Sequence, residues 1–187
     1  MDAMDCGADW LGFNFYPDSP RYVEPSKAKE ILREIPPSIA KVGVFVNEPQ
    51  DKVADLALEL TLDMLQFHGD ETPEYCNAFG RPWYKAFRFQ EEGELQQIPL
   101  YETDWVLVDS YVEKAFGGTG MVSNWDLARK AGAKKKLILS GGLKPENIEI
   151  ALEAVKPAAV DVASGVEASP GIKDHYKMEE FIKRVKR

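Results

Sequence analysis

The sequence predicts an α/β protein built around a parallel sheet, and three observations support this. Seven apolar runs of strand length recur along the chain, and most are followed by a segment whose apolar residues have helical spacing. The runs are apolar throughout rather than alternating, which indicates strands buried on both faces. They recur at a roughly constant interval, which favours a (β/α)8 TIM barrel over an open doubly wound sheet.

The expected strands are short and end in turn-forming residues such as Gly, Asn, Asp and Ser. They cover residues 11–16, 42–47, 62–69, 83–89, 105–110, 136–142 and 159–167.

The expected helices lie between these strands. Pro25 suits the first turn of a helix over residues 25–35, and Ser123 or Asn124 is expected to cap a helix around residues 125–131. The other expected helices are a segment after Pro49, residues 73–79, at most a short helix before Pro99, residues 145–154 and the C-terminal segment.

The chain has 187 residues, of which 44% are hydrophobic and 29% charged, as in globular proteins. This length suffices for one sizeable core, and we predict a single barrel domain over residues 1–187. The formal net charge of −8 argues against nucleic acid as the main partner. It still permits a small phosphorylated ligand, which needs only local donors.

No apolar stretch is long enough to span a bilayer, and the first five residues are acidic and lack a signal-peptide core. We therefore predict a cytoplasmic protein without a membrane partner. Cys6 and Cys76 have no metal-ligand spacing with His68 or His175, so we expect free thiols and no metal site.

Residues 2–6 have the pattern of a helix end, with Gly7 as the terminating glycine. We therefore expect the chain to begin inside the first crossover helix of an N-terminally truncated barrel, with the first strand ahead of Met1. Such a barrel has two unpaired strand edges, so we expect the chain either to be unstable or to self-associate by pairing those edges with another chain. A full-length form is expected to be a monomer.

Asp109 is the first candidate for chemistry, because it ends an apolar strand and is followed by a glycine-rich loop. Barrel enzymes present their reactive groups at the carboxyl ends of the strands. The alternative for an isolated Asp in this position is to cap the next turn.

Several segments together resemble the phosphoribosylanthranilate isomerases of tryptophan biosynthesis, in that family's order and approximate spacing. The segments are residues 7–13, 15–23, 42–47, 66–71, 117–120, 140–143 and 160–167. The resemblance covers essentially the whole chain. It implies a (β/α)8 barrel that converts the aminoaldose N-(5'-phosphoribosyl)anthranilate into an aminoketose by an Amadori rearrangement. It also implies that neither a metal nor an organic cofactor takes part.

The resemblance gives Asp109 the role of general acid and Arg21 that of binding the anthranilate carboxylate. The glycines after the sixth strand (Gly141 and Gly142) and Ser164 with Gly165 after the seventh fit the phosphate site of barrel enzymes. The loop of Gly118, Thr119 and Gly120 is expected to close over the substrate.

Asp161 lies inside an apolar run, so we expect it to face the barrel interior and meet a polar partner or the substrate amino group. His68 is either a structural histidine or a ligand contact. Gln66 and Lys85 are expected to be polar residues of the interior.

The base in the resembled family is a cysteine followed by glycine at the end of the first strand. Cys6-Gly7 has this sequence, but only three residues separate Gly7 from Leu11, too few for the crossover between parallel strands. We therefore expect the base to be a cysteine ahead of Met1, not Cys6, and Cys76 to be a packing residue.

Two other functions stay open at this point. One is a non-catalytic or impaired phosphate-ligand-binding barrel that lost its base with its first strand. The less favoured one is indole-glycerol-phosphate synthase, whose chemistry calls for Lys and Glu at the rim, for which Lys85 and Glu167 are the available residues.

Overall fold

The computed structural model describes residues 2–109 and 120–187. For residues 120–124 it describes the backbone alone. The chain divides into two compact units, Met1–Tyr84 and Lys85–Arg187, and the boundary falls inside a strand.

Within the described residues, seven strands form one sheet, in which their order follows their order in the chain. Parallel pairing joins β1 to β2 and β2 to β3 in the first unit, and β4 to β5, β5 to β6 and β6 to β7 in the second. The strands are β1 (Trp10–Asn14), β2 (Ala40–Phe45), β3 (Met64–Phe67), β4 (Trp83–Phe87), β5 (Trp105–Asp109), β6 (Lys136–Ser140) and β7 (Ala159–Val160). The α/β class and the parallel sheet predicted from the sequence are confirmed.

Helices and 3-10 turns connect the strands, as parallel pairing requires. The helices are α1 (Asp2–Asp5), α2 (Pro25–Leu32), α3 (Gln50–Glu59), α4 (Pro73–Cys76), α5 (Gly120–Gly132), α6 (Ile148–Val155) and α7 (His175–Val185). The 3-10 segments cover Asn77–Phe79, Glu92–Leu100 and Ser164–Val166. None of the helices in the described ranges is long and apolar enough to cross a membrane.

The short helix α1 ends as the sequence predicts. The N–H of Gly7 donates to the carbonyl of Met4 and the N–H of Ala8 to that of Ala3, each at 2.9 Å. These two bonds form a Schellman motif, in which Gly7 is in the left-handed region with φ 95°.

Aromatic packing dominates the core of the first unit. Phe15 and Phe45 stack with ring centroids 5.4 Å apart, and Phe67 contacts Tyr75 edge-on with ring centroids 5.5 Å apart. Phe15, Phe45 and Phe67 are fully buried. In the second unit, the buried residues 106–108 of β5 and 137–139 of β6 lie side by side. Each large side chain buried in this way contributes about 1.5–3 kcal/mol.

The segment after β4 is a 3-10 helix that extends through Pro99 instead of ending before it. A capping box starts it, in which the Glu94 carboxylate accepts hydrogen bonds from the N–H groups of Glu91 and Gln90 at 3.0 and 2.6 Å. These backbone donors, Glu91 first, hold the pKa of Glu94 below its usual value.

Two predicted boundaries differ most from those in the structure. The expected strand over residues 159–167 ends at Val160, and Glu167–Ser169 pairs instead with Ile172–Lys173 as an antiparallel hairpin, β8 and β9. The apolar run therefore contains a strand, a turn and half of a hairpin. The helix expected around residues 125–131 begins at Gly120, so the backbone of Ser123 and Asn124 lies inside the helix and not at its start.

The turns after β6 and β7 touch through Gly165. A Cβ at this position would lie 1.7 Å from the Leu143 carbonyl oxygen, far inside any contact distance. Only glycine lets the two backbones approach this closely, so the residue type at 165 fixes how the two turns pack.

We expect Gly165→Ala to lower the free energy of unfolding by at least about 1–3 kcal/mol, because a backbone must move to admit the methyl group. Gly93→Ala is the matched control, since nothing lies within 4 Å of its added Cβ. Urea denaturation followed by circular dichroism measures both. Equal midpoints for the two variants would contradict the packing argument.

Candidate active site

Four polar residues line the carboxyl edge of the sheet in the second unit: Arg88, Asp109, Ser140 and Asp161. Phe87 pairs with Val108 and Asp109 with Ser140, while Leu139 pairs with Val160. Continuing this register sets Arg88 opposite Asp109 and Asp161 opposite Ser140. We call these four residues the carboxyl-edge row.

Asp109 ends β5, as predicted, and its side chain is only 14% exposed. Arg88 Nη2 donates to Asp109 Oδ2 at 2.6 Å, although the Arg88 side chain is 62% exposed. Sequence reasoning missed Arg88. The available signal was its position directly after one apolar strand, matching the position of Asp109 at the end of the next.

Asp161 was predicted to lie within a strand. It lies one residue beyond β7 instead, and it is exposed. Its backbone N–H still donates to the Leu139 carbonyl at 2.8 Å, so it continues the ladder past the short strand. Ser140 Oγ donates to Asp161 Oδ2 at 3.0 Å. Ser140 is therefore the expected polar partner. Because the Asp161 carboxylate is exposed to solvent, the cost of leaving it without a partner is lower than predicted.

Gly141 and Gly142 form the turn after β6, with φ of 90° and 65°, values that L side chains rarely adopt. Asn147 holds this turn, since its side-chain Nδ2 donates to the Gly142 carbonyl and its Oδ1 accepts from Lys144 N–H, each at 2.9 Å. The two glycines and the two hydrogen bonds of the Asn147 side-chain amide thus set the geometry of this turn.

Ser164 and Gly165 begin a 3-10 turn, and the first N–H groups of a helical turn lack intrahelical acceptors. Behind this turn, Lys173 Nζ donates to the Ala163 carbonyl at 3.0 Å and lies 3.1 Å from Glu167 Oε1. Glu167 is buried and pairs with Lys173 within the hairpin, while the Lys173–Ala163 hydrogen bond joins the hairpin to the turn. Sequence reasoning did not find Lys173.

Arg21 lies half-buried in the loop after β1 in the first unit. Ser19 organises this loop, because its Oγ accepts a hydrogen bond from Arg21 N–H at 3.1 Å and one from Asn14 Nδ2 at 3.2 Å. The side chain of Asn14, the last residue of β1, thereby fixes the backbone from which Arg21 projects.

His68 directly follows β3 and is half-buried. Gln66 lies between it and a buried tyrosine, with Gln66 Nε2 2.9 Å from His68 Nδ1 and Tyr84 Oη 3.0 Å from Gln66 Oε1. An amide nitrogen only donates, so Nδ1 of His68 is the acceptor in this contact. Gln66 is buried, as predicted.

A buried glutamate, Glu71, joins the loops after β2 and β3. Its Oε1 accepts from Asn47 N–H at 2.8 Å and its Oε2 from Gly69 N–H at 2.9 Å. Gly69 has no room for a side chain, since a Cβ would lie 2.3 Å from Asn47 Oδ1. Asn47 itself has φ 52°, so this junction depends on a residue that tolerates the left-handed region.

Other predicted residues lie elsewhere. Cys6 is in the turn before β1, at the amino end of that strand, and Cys76 is fully buried in α4. Gly118 and Thr119 lie outside the described residues. Gly120 was predicted to belong to a loop, but α5 begins at this residue.

The residues available to the synthase alternative are engaged structurally. Lys85 is buried, and its Nζ donates to the Ala86 carbonyl at 3.2 Å. Glu167 is paired with Lys173, as described above. Within residues 2–109 and 120–187, no group of three or more His, Cys, Asp or Glu is placed to hold a metal ion.

The model of the family described as N-(5'phosphoribosyl)anthranilate (PRA) isomerase matches residues 1–184. The chain belongs to the phosphoribosylanthranilate isomerase family. The isomerase of Geobacter sulfurreducens is 49% identical over 98% of this chain and 91% of its own length. That of Geobacter metallireducens is 48% identical with the same coverage.

Solved structures of this isomerase family have the same fold. The Thermotoga maritima phosphoribosyl anthranilate isomerase is 40% identical, with a TM-score of 0.89 over 99% of this chain and 91% of its own. A second such structure, 39% identical, holds reduced 1-(o-carboxyphenylamino)-1-deoxyribulose 5-phosphate and has a TM-score of 0.86 with equal coverage. The sequence-based resemblance to the family is confirmed, and the synthase alternative is wrong.

We expect Glu71→Gln to lower the free energy of unfolding by about 1–3 kcal/mol, because the amide nitrogen cannot accept from the second of these part-buried N–H groups. Glu59→Gln is the matched control, since Glu59 pairs with Lys29 at the exposed surface. Its effect should stay within about 0.5 kcal/mol. Urea denaturation of both variants measures the difference, and a Glu71→Gln effect no larger than the control would contradict this role.

Proposed function

We propose that the chain is an N-(5'-phosphoribosyl)anthranilate isomerase that performs a cofactor-free Amadori rearrangement in tryptophan biosynthesis. One observation carries the assignment of the chemistry: the carboxyl of Asp109 is largely buried at the carboxyl end of β5, within the carboxyl-edge row. A carboxyl in this position suits proton transfer to a substrate bound over the strand ends.

In the proposed first step, Asp109 gives a proton to the furanose ring oxygen of the substrate. The bond between this oxygen and the anomeric carbon breaks, while the nitrogen lone pair of anthranilate forms a Schiff base with that carbon. A base then removes a proton from the adjacent sugar carbon, and the resulting enolamine becomes the aminoketose. The prediction that this base is a cysteine ahead of Met1 stays a prediction.

The substrate phosphate is proposed to bind the two turns after β6 and β7, at Gly141, Gly142, Ser164 and Gly165. The left-handed glycine turn and the start of the 3-10 turn support this, because both present backbone N–H groups without bulky side chains. A related isomerase was solved with reduced 1-(o-carboxyphenylamino)-1-deoxyribulose 5-phosphate, and this phosphorylated ligand supports a phosphorylated substrate for the chain.

Three side chains are proposed to contact the rest of the substrate. Arg21 binds the anthranilate carboxylate, a task suited to a planar guanidinium. His68 contacts the substrate through its imidazole, and Asp161 offers an acceptor to the substrate amino group.

We further propose one (β/α)8 barrel domain over residues 1–187, located in the cytoplasm, to which both compact units belong. TM-scores of 0.86–0.89 over 99% of the chain support the barrel. The predicted truncation, the monomeric full-length form and the edge-mediated self-association stay predictions.

A phosphate-ligand-binding barrel without turnover is the alternative. The positions of Cys6, before β1, and Cys76, buried in α4, favour it, because neither thiol lies at the carboxyl end of a strand. Binding and turnover separate the two functions. If the chain binds the reduced ribulose phosphate analogue but does not convert the substrate, the alternative is correct.

We expect Asp109→Asn to lower kcat by at least about 100-fold, because an amide cannot supply the proton. Asp126→Asn is the matched control, since Asp126 also pairs with an arginine but lies on the exposed face of α5. Initial rates with N-(5'-phosphoribosyl)anthranilate measure both, with circular dichroism confirming the fold. A folded Asp109→Asn variant with normal turnover would remove Asp109 from the role of acid.

We expect Arg21→Gln to weaken binding of the reduced ribulose phosphate analogue about 10- to 100-fold, because a charged hydrogen bond is worth about 1.5–3 kcal/mol. Arg33→Gln, at an exposed arginine after α2, should leave the Kd unchanged. Titration calorimetry gives both constants. Equal affinity of the Arg21→Gln variant and the unmodified chain would exclude the assigned contact.

A further inference from the structure

We infer that Arg88 is a positioning residue for Asp109, whose guanidinium fixes the orientation in which the Asp109 carboxyl meets the substrate ring oxygen. The inference rests on the proposed function, since it concerns the same carboxyl. It adds a residue outside the set that the sequence predicted.

Sheet register brings the two residues together. Phe87, the last residue of β4, is paired with Val108, so Arg88 directly after β4 lies opposite Asp109 at the end of β5. Nη2 of Arg88 lies 2.6 Å from Oδ2 of Asp109, which is the length of a strong charge-assisted hydrogen bond. Arg88 therefore approaches the carboxyl from the neighbouring strand.

Exposure indicates what this ion pair does. The chain has a second arginine–aspartate pair, in which Arg129 Nη2 lies 2.5 Å from Asp126 Oδ1, and both side chains are exposed, at 58% and 42%. Arg88 is equally exposed, but its partner Asp109 is only 14% exposed. Ion pairs with an exposed partner contribute little to stability. The Arg88 contact therefore orients a largely buried carboxyl rather than holding the fold together.

Proton transfer makes orientation important. A general acid must lie within hydrogen-bond reach of the atom it protonates and point at it. Small displacements of a reacting group cost large factors in rate, about 100-fold for 1 Å. A planar guanidinium restrains the carboxyl better than the rotatable ammonium of a lysine does. Arginine at position 88 suits this task.

The test compares Arg88→Met and Arg88→Lys with Arg129→Met, which removes the exposed ion pair. We expect Arg88→Met to lower kcat about 10- to 100-fold while KM for N-(5'-phosphoribosyl)anthranilate stays within about twofold. Arg88→Lys should recover part of the loss, and Arg129→Met should leave both constants unchanged. The Kd of the reduced ribulose phosphate analogue, by titration calorimetry, should not change in any variant.

The outcomes separate this inference from the proposed function. Normal kcat in Arg88→Met, with turnover lost in Asp109→Asn, overturns the role of Arg88 and leaves the proposed function in place. A raised KM or Kd with an unchanged kcat also overturns it, because Arg88 would then bind substrate directly. Absence of both turnover and binding of the reduced ribulose phosphate analogue in the unmodified chain overturns both.

Discussion

The parallel register of β4, β5, β6 and β7 is the constraint on which the candidate site depends. Side chains at matching positions of neighbouring parallel strands lie on the same face, so one register aligns all four residues of the carboxyl-edge row. A slip of one residue would turn a strand's side chains to the opposite face. The buried apolar residues of β5 and β6 prevent such a slip, so the core of the second unit also fixes the relative positions of its polar groups.

Backbone geometry controls the turns beyond this edge more than side-chain chemistry does. Gly141 and Gly142 have positive φ, and Gly165 lies against the Leu143 carbonyl. Asn147 adds two hydrogen bonds to the first turn, and Lys173 with buried Glu167 restrains the second. These contacts restrain both turns, and for the proposed phosphate site such restraint reduces the entropy that binding must overcome.

Sequence reasoning found what local patterns encode. Apolar runs predicted the seven strands, and residues at the strand ends identified Asp109 and the glycine turns. Arg88 and Glu71 were missed because their roles come from neighbours distant in sequence, Asp109 in one case and Asn47 in the other. The run over residues 159–167 was misassigned because apolar composition alone does not separate a strand from a tight turn. Whether a residue belongs to a strand or to a turn depends on its pairing partners, and these lie outside the run itself.

The acidic composition and the proposed phosphate site are compatible on physical grounds. With a net charge of −8, the chain has no surplus of cations to attract a phosphate from a distance. The proposed site instead uses backbone N–H groups in left-handed and 3-10 turns, whose dipoles act only at short range. The nearby ammonium of Lys173 is offset by Glu167, so it anchors the turn more than it attracts an anion. Under the proposed function, selection of the ligand depends on fit within the turns, a requirement that a small phosphorylated sugar meets and a polyanion does not.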